Sequence, residues 1–569
     1  TNKKTIRKKV TQLTAIPTLQ RAVQLIGPNK LVFSEDKKVH LPGPNQILCK
    51  VEAVGLCFSD LKLLKQFSDH PRKKKILSGI DLNVLCEIPS YAPDAKPTVP
   101  GHEACVKVVH VGRGVTKFKG GQRYLVETDY RWLTSENSNG SFGYNFEGAL
   151  QEYVLMDERV ITSPEGQSML ISVPEDLSAS AIAMIEPWAC VEHCYAMKER
   201  QKLKTNGKTL IVCDIEINGE KLNHFFERYD TPSDCKWIGK CPSCVRIKSE
   251  IVNDIESLPD AAFDDVIYFG ADSSTVERLF GKLAIGGLFN IVQCGEKFGG
   301  NISAAVGRLH YSRIRIIGTQ GCDPAESMKI IPRTPDIRSG DKINIVGAGG
   351  PMGMMHIIRN ICQRFDRISI FAGDIDDKRL ENLRKIAEPL AKNKNVEVIF
   401  YNPNVYKPNV TFDYTILSAS VPSLVSDAIE SSSDGAIINV FAGITPSANI
   451  EIDLNKYISK KLYAVGSSGS TADDMKTVLF KVQSGLLDTN VSLAAVCGLE
   501  FAADAIYMVE NRSIPGKIVV YPACRGLALL RLQDLEVKHP EIAGCLCGGL
   551  WTKSAEDKLL RTYTKSSSI

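Results

Sequence analysis

Apolar and polar residues alternate along Gln46-Ile47-Leu48-Cys49-Lys50-Val51, the period of a strand with one face in a core, and similar short runs recur over residues 15–200. That stretch is expected to be mainly β. Further on the period changes. Lys342-Ile343-Asn344-Ile345-Val346 is a short apolar run that leads into a helical spacing at Met355, Ile357, Ile358 and Ile361, which predicts a strand followed by a helix. A similar run, Thr209-Leu210-Ile211-Val212-Cys213, stands upstream. Near the C-terminus, Leu527, Leu530, Leu532 and Leu535, then Trp551 and Leu559-Leu560, predict a helical appendage over 523–569 for packing or subunit contact.

The chain also repeats itself. Phe263-Asp264-Asp265-Val266-Ile267-Tyr268 matches Phe412-Asp413-Tyr414-Thr415-Ile416-Leu417, and Gly286-Gly287-Leu288-Phe289-Asn290 matches Gly435-Ala436-Ile437-Ile438-Asn439. Gly318-Thr319-Gln320-Gly321 matches Gly466-Ser467-Ser468-Gly469, again about 148 positions on. Two doubly wound, Rossmann-like α/β units are therefore expected, 201–330 and 341–480, joined by a Pro- and Gly-punctuated linker from Pro332 to Asp341.

Only the second unit carries a glycine turn after its first strand. Gly347, Gly349, Gly350, Pro351, Met352 and Gly353 are the candidate dinucleotide-binding residues, because strand, glycine turn and helix in that order aim backbone N–H groups at a pyrophosphate. Ala348 stands where the first glycine of G-x-G-x-x-G belongs. The following strand ends at Asp374, placed to bind the ribose hydroxyls and to repel a 2′-phosphate, which favours NAD over NADP. Arg379 is placed to flank the adenine, and with Lys378 it keeps NADP as the alternative. The first unit has Asp214-Ile215-Glu216-Ile217-Asn218-Gly219 instead of a glycine turn, so it is read as degenerate, with an architectural role. Its Cys235, Cys241 and Cys244 are either a small metal knuckle, a redox pair or unconnected thiols.

The candidate chemistry lies in the β segment. Cys57, His102 and Glu186 offer a thiolate, an imidazole and a carboxylate from three separate stretches, the set that a catalytic zinc takes when its fourth position stays open for substrate. Gly55-Leu56-Cys57-Phe58-Ser59-Asp60, Pro100-Gly101-His102-Glu103, Gly148-Ala149-Leu150-Gln151-Glu152-Tyr153-Val154 and Glu186-Pro187 come in an order that resembles the zinc-dependent medium-chain dehydrogenases, the superfamily of alcohol, polyol and threonine dehydrogenases. Gly516-Lys517-Ile518-Val519-Val520 resembles that family's closing strand, which returns to the β domain over 481–522. Among tandem members it most resembles sugar-phosphate reductases of the sorbose-1-phosphate kind.

The resemblance implies a GroES-like β domain with two Rossmann-like units, and Zn²⁺ held by Cys57, His102 and either Glu103 or Glu186, the other glutamate orienting a water. It implies that Ser59 relays the substrate proton and that Asp60 fixes the His102 tautomer. It further implies hydride transfer between NAD and a secondary alcohol or ketone of a polyol, sugar or sugar phosphate. The alternative is an epimerase or lyase using the same zinc with tightly held NAD and no net redox. The stretch from Leu61 to Val99 is longer than the family has, and its Pro71-Arg72-Lys73-Lys74-Lys75 either grips an anionic group beside the cleft or is a solvated loop. No cysteine falls between Cys105 and Cys190, so the family's four-cysteine structural zinc is not expected.

Composition narrows the rest. A balance of 69 basic against 65 acidic residues gives no reason to invoke nucleic acid, and no apolar run is long enough to span a membrane. Seventeen cysteines without a disulfide framework fit a reducing cytoplasm. The basic start from Lys3 to Lys9 reads as a frayed terminus. A small-molecule substrate and a homo-oligomer, dimer or tetramer, are expected as partners.

Overall fold

The alternation from Gln46 is realised as the strand Gln46–Gly55, the hub of an eight-stranded sheet in a computed structural model that describes residues 16–564. The basic run from Lys3 to Lys9 lies outside the described residues. In this sheet Leu170–Ser172, Arg123–Val126, Glu103–Val111, Gln46–Gly55, Lys517–Val520, Leu493–Cys497 and Leu530–Arg531 follow one another, and Tyr153–Asp157 also pairs with Gln46–Gly55. Inward positions such as Ile47, Cys49, Val51, Ala104, Val106, Ile518 and Val520 fill its core. The stretch from Leu61 to Val99 is not a solvated loop. Its strand Ile76–Ser78 pairs with Asp129–Ser135, and Lys73 is wholly buried.

Residues up to Met184, together with those from Leu493 on, form one compact unit, and Ile185–Ser492 forms the other. The expected edge at 200 thus falls inside the second unit. The helix Ile185–Ala196 is held there by Glu192, which pairs with Arg359 on the helix Pro351–Cys362 and with Lys481 on the helix Ala472–Gln483. Return to the β unit comes at Leu493 rather than 481. The C-terminal segment packs on the β unit itself. The Glu556 carboxylate, 1% exposed, accepts hydrogen bonds from the amides of Ala179 and Ser180 and from the Tyr521 hydroxyl, to which the buried Trp551 also donates.

In the second unit each repeat is a six-stranded parallel sheet of the same order. The first runs Glu250–Ile251, Asp234–Gly239, Lys208–Cys213, Phe263–Phe269, Leu283–Val292, Arg315–Thr319, and the second runs Glu397–Tyr401, Ser369–Gly373, Lys342–Val346, Phe412–Leu417, Ser432–Val440, Tyr463–Val465. The expected linker is pinned rather than free: Asp336 pairs with the buried Arg359 at 2.7 Å, and Tyr414 donates to the Pro335 carbonyl.

The two repeats meet through matching parts. Ile302–Ala305 pairs antiparallel with its own counterpart Asn449–Ile452, Ile302 facing Ile452 and Ala305 facing Asn449. This is the self-complementary register of a two-fold axis. Contacts are reciprocal as well: Gly318 packs under Ile458 of the helix Leu454–Ser459, and its counterpart Gly466 packs under Leu309 and His310 of the helix Gly307–Tyr311. Both sheets share one hydrophobic core. Among the described residues no helix is long and apolar enough to cross a membrane.

A methyl group at Gly466 would lie 2.6 Å from the Leu309 carbonyl oxygen and 2.7 Å from the His310 backbone, which has no freedom to retreat. Gly466→Ala is expected to lower the unfolding free energy by about 1–3 kcal/mol in urea melts, as overpacking does. Gly299→Ala, with nothing within 4 Å, should leave the midpoint unchanged.

Candidate functional site

Cys57 caps the helix Phe58–Gln66, directly after the strand Gln46–Gly55. His102 precedes the neighbouring strand Glu103–Val111 in a turn that Gly101 makes with φ of +95°, a conformation L side chains rarely adopt. Gly148 backs this turn, and a Cβ there would sit 2.3 Å from the Gly101 carbonyl. The two segments bring one ligand atom each of Cys57, His102 and Glu103 within 4.8 Å of one another.

The surroundings hold these groups in place. Asp60 uses Oδ2 to accept the Cys57 backbone N–H at 2.9 Å, while its Oδ1 stands 3.3 Å from Nδ1 of His102, so one buried carboxylate lies against both ligand loops. Ser59 Oγ lies 3.3 Å from Nε2 of His102. Glu103 is fully buried; Lys517 donates to its Oε1 at 2.6 Å, and its Oε2 has no hydrogen-bond partner among the described residues. Gly55 makes this possible, since a Cβ there would come within 2.2 Å of that Oε2. Thiol, imidazole and a half-satisfied buried carboxylate are a donor set that suits zinc. Glu186 opens the helix Ile185–Ala196 in the other unit, with the Cys190 thiol 3.8 Å from its Oε1.

Three residues beside this group escaped the sequence reading. Lys517 begins the strand Lys517–Val520, and nothing in its neighbours foretells that it meets Glu103. The Tyr144 ring lies tilted against that of His102, 5.5 Å away, and its hydroxyl hydrogen-bonds Ser59; burial pushes the hydroxyl pKa up. His70, whose ring is 5.2 Å from Tyr144, is held at a pKa of about 4 by burial and by the positive charges of Arg72 and Lys62.

The basic run of the inserted stretch divides. Arg72 lies over the Tyr144 ring at 5.2 Å and pairs with Asp129 at 3.2 Å. Burial disfavours the Asp129 carboxylate, but Arg72 and Arg131 outweigh it and hold its pKa low. Lys73 points inward to the Ala92 and Lys96 carbonyls, and burial brings its pKa down to about 7.

The residues expected to bind a dinucleotide all lie within the second unit. Gly347 turns with φ of +80°, its N–H and that of Ala348 donate to the Gly373 carbonyl, and Gly353 packs so closely under the turn that a Cβ would sit 2.2 Å from the Gly347 carbonyl. Gly350 is the N-cap of the helix Pro351–Cys362, Met352 lies in its first turn, and no side chain caps it among the described residues. Asp374 follows the strand Ser369–Gly373; its Oδ2 accepts from the Gly349 N–H and its Oδ1 from that of Asp376. Arg379 stands next to Asp376.

In the first repeat the corresponding helix, Gly219–Tyr229, has its N-terminus closed by the Asn218 side chain, and Asp214 takes the Tyr268 hydroxyl at 2.6 Å. Cys235, Cys241 and Cys244 do not converge as a metal-ligand group among the described residues.

An alcohol dehydrogenase GroES-like domain is matched over residues 43–165. The Escherichia coli (strain K12) protein YggP is 26% identical over 270 residues, 44% of this chain and 63% of its own length. An L-threonine 3-dehydrogenase of Xanthomonas oryzae pv. oryzae (strain MAFF 311018) is 25% identical over 176 residues, 29% of this chain and 43% of its own length. The chain therefore spans less than two thirds of these relatives. The structure of 2R,3R-butanediol dehydrogenase from Bacillus subtilis superposes with a TM-score of 0.51 at 15% identity, covering 88% of this chain and 99% of that one. An alcohol dehydrogenase from E. coli CFT073, complexed with NADH, gives 0.50 at 14% identity, covering 89% and 100%. At these identities the two structures share the fold.

Replacing Lys517 by Met would leave the Glu103 carboxylate buried and unpaired, and is expected to cost about 3–5 kcal/mol in urea unfolding. Adding Glu103→Gln should recover most of that loss; equal losses in the single and double variants would contradict the pairing.

Proposed function

We propose that this chain, which belongs to the zinc-dependent medium-chain dehydrogenase/reductase superfamily, is an oxidoreductase that transfers hydride between NAD and a secondary alcohol or ketone of a polyol, sugar or sugar phosphate. The observation that carries the reading is the convergence of Cys57, His102 and Glu103 within 4.8 Å, with room for the glutamate made by Gly55. Cys57 and His102 would hold zinc, with Glu103 as the third ligand through its unpartnered Oε2. When bound, zinc supplies Lewis acidity that favours a substrate alkoxide, and the nicotinamide supplies the hydride acceptor.

The chain's own groups do the rest. Ser59 Oγ, 3.3 Å from the His102 ring and bonded to Tyr144, is placed to take the hydroxyl proton, and Tyr144 to pass it on. Asp60, with Oδ1 3.3 Å from Nδ1 of His102, would orient the ring so that Nε2, now beside Ser59, turns to the metal. Lys517 sets a positive charge against the Glu103 carboxylate in the core. Arg72 over Tyr144 supports an anionic group on the substrate. The open helix end at Gly350 and the turn around it supply donors for a pyrophosphate, and Asp374 beside Gly349 would bind the ribose hydroxyls and oppose a 2′-phosphate.

Cys57→Ser is expected to lose most bound zinc by elemental analysis while unfolding at an unchanged midpoint; full zinc content would defeat the assignment. Glu103→Gln and Glu186→Gln, assayed side by side, identify the third ligand as the one whose loss empties the site. Asp374→Ala should weaken NAD by about 10-fold or more in titrations and NADP less; equal loss for both would overturn the ribose role. Turnover of a polyol or sugar phosphate with NADH released in step supports the oxidoreductase, whereas turnover without released NADH favours an epimerase or lyase.

A further inference from the structure

The carboxyl end of the first sheet, where the second sheet carries its glycine turn, is furnished with thiols. Cys213 ends the strand Lys208–Cys213 close to Cys241 and Cys294, Cys294 follows the strand Leu283–Val292, and Cys322 follows Arg315–Thr319. The last two strands are parallel neighbours, with Val292 beside Thr319, and their hydrogen bonding runs on into the loops. Gln293 N–H donates to the Thr319 carbonyl at 2.9 Å, Gly295 N–H to that of Gln320 at 2.8 Å and Cys294 N–H to that of Gly321 at 2.9 Å. This zipper holds Cys294 beside the residue that precedes Cys322, with the two thiols close enough to influence one another. Cys294 is turned there by a φ of +50°, a strained conformation for a residue with a side chain. Cys322 is exposed and Cys294 partly so, which leaves the pair open to small molecules.

We infer that Cys294 and Cys322 form a reversible dithiol–disulfide pair, oxidised by a small-molecule disulfide such as glutathione disulfide. The thiolate of the exposed Cys322 attacks one sulfur of that disulfide; the sulfur–sulfur bond breaks, one glutathione leaves as thiolate, and a mixed disulfide remains on Cys322. Cys294 then gives its proton to solvent, and its sulfur displaces the second glutathione. The protein loses two hydrogens, and the two electrons leave on two molecules of glutathione. This order follows from the surroundings of Cys294, whose thiol pKa is pushed up to about 12 by burial and by Cys322, so that it is slow to ionise unaided.

The bond would fasten the loop from Thr319 to Gly321. That loop borders a cavity of about 650 Å³ at the meeting of the two sheets, lined also by Lys329, Lys461 and Tyr463. The redox state of the pair therefore acts on the junction between the repeats, away from the glycine turn of the second.

The test treats the native full chain with glutathione disulfide, quenches it with acid, alkylates the remaining thiols and maps peptides by mass spectrometry. A peptide linking Cys294 to Cys322, lost on treatment with dithiothreitol, is the expected result. Cys294→Ser should stop at a glutathione adduct on Cys322, and Cys322→Ser should leave Cys294 unmodified. Separate adducts on both cysteines of the wild type, a link from Cys322 to Cys213, Cys241 or Cys244, or two thiols still free at equilibrium would each overturn the inference. The wild-type map decides even if a variant folds poorly.

Discussion

Gly55 facing Glu103 across two antiparallel strands is the constraint on which the candidate metal site depends. A side chain at 55 would occupy the space the Glu103 carboxylate needs. A buried charge of this kind is tolerated only when a partner balances it. The partner, Lys517, arrives on a strand that the chain lays beside Gln46–Gly55 only after the whole of the other unit has been traversed. The site is thus a product of the finished sheet and not of its ligand loops alone.

What could be read from the sequence was whatever is local. The ligand loops were legible because each packs its message into a few consecutive residues, Cys57 to Asp60 and Gly101 to Glu103. The two sheets were legible because the repeat preserves strand starts such as Phe263 and Phe412. Lys517, Tyr144 and His70 were not, since each takes its meaning from a residue far away in the chain. A lysine opening a strand looks the same in sequence whether it meets solvent or a buried glutamate. The stretch from Pro332 to Asp341 has the composition of a tether, and only the distant Arg359 reveals that Asp336 is anchored. The junction of the repeats was hidden for a related reason: Ile302–Ala305 is four residues of small and apolar side chains, too short to show a period.

The repeats share topology and differ at one end. The same hydrogen-bonding crevice is left open at Gly350 in the second repeat and is stoppered by Asn218, Asp214 and Tyr268 in the first. The Asn218 cap takes one of the amides, that of Lys221, which a pyrophosphate would otherwise reach. Loss of the glycines is therefore only half of what separates the two crevices; the other half is the set of polar side chains that have moved in.

The self-complementary register at Ile302–Ala305 and Asn449–Ile452 carries a consequence for change over time. When two identical subunits meet about an axis, any substitution is enforced twice, once on each side. Here both sides are encoded separately within a single polypeptide, so a substitution in one half of the seam need not be matched in the other.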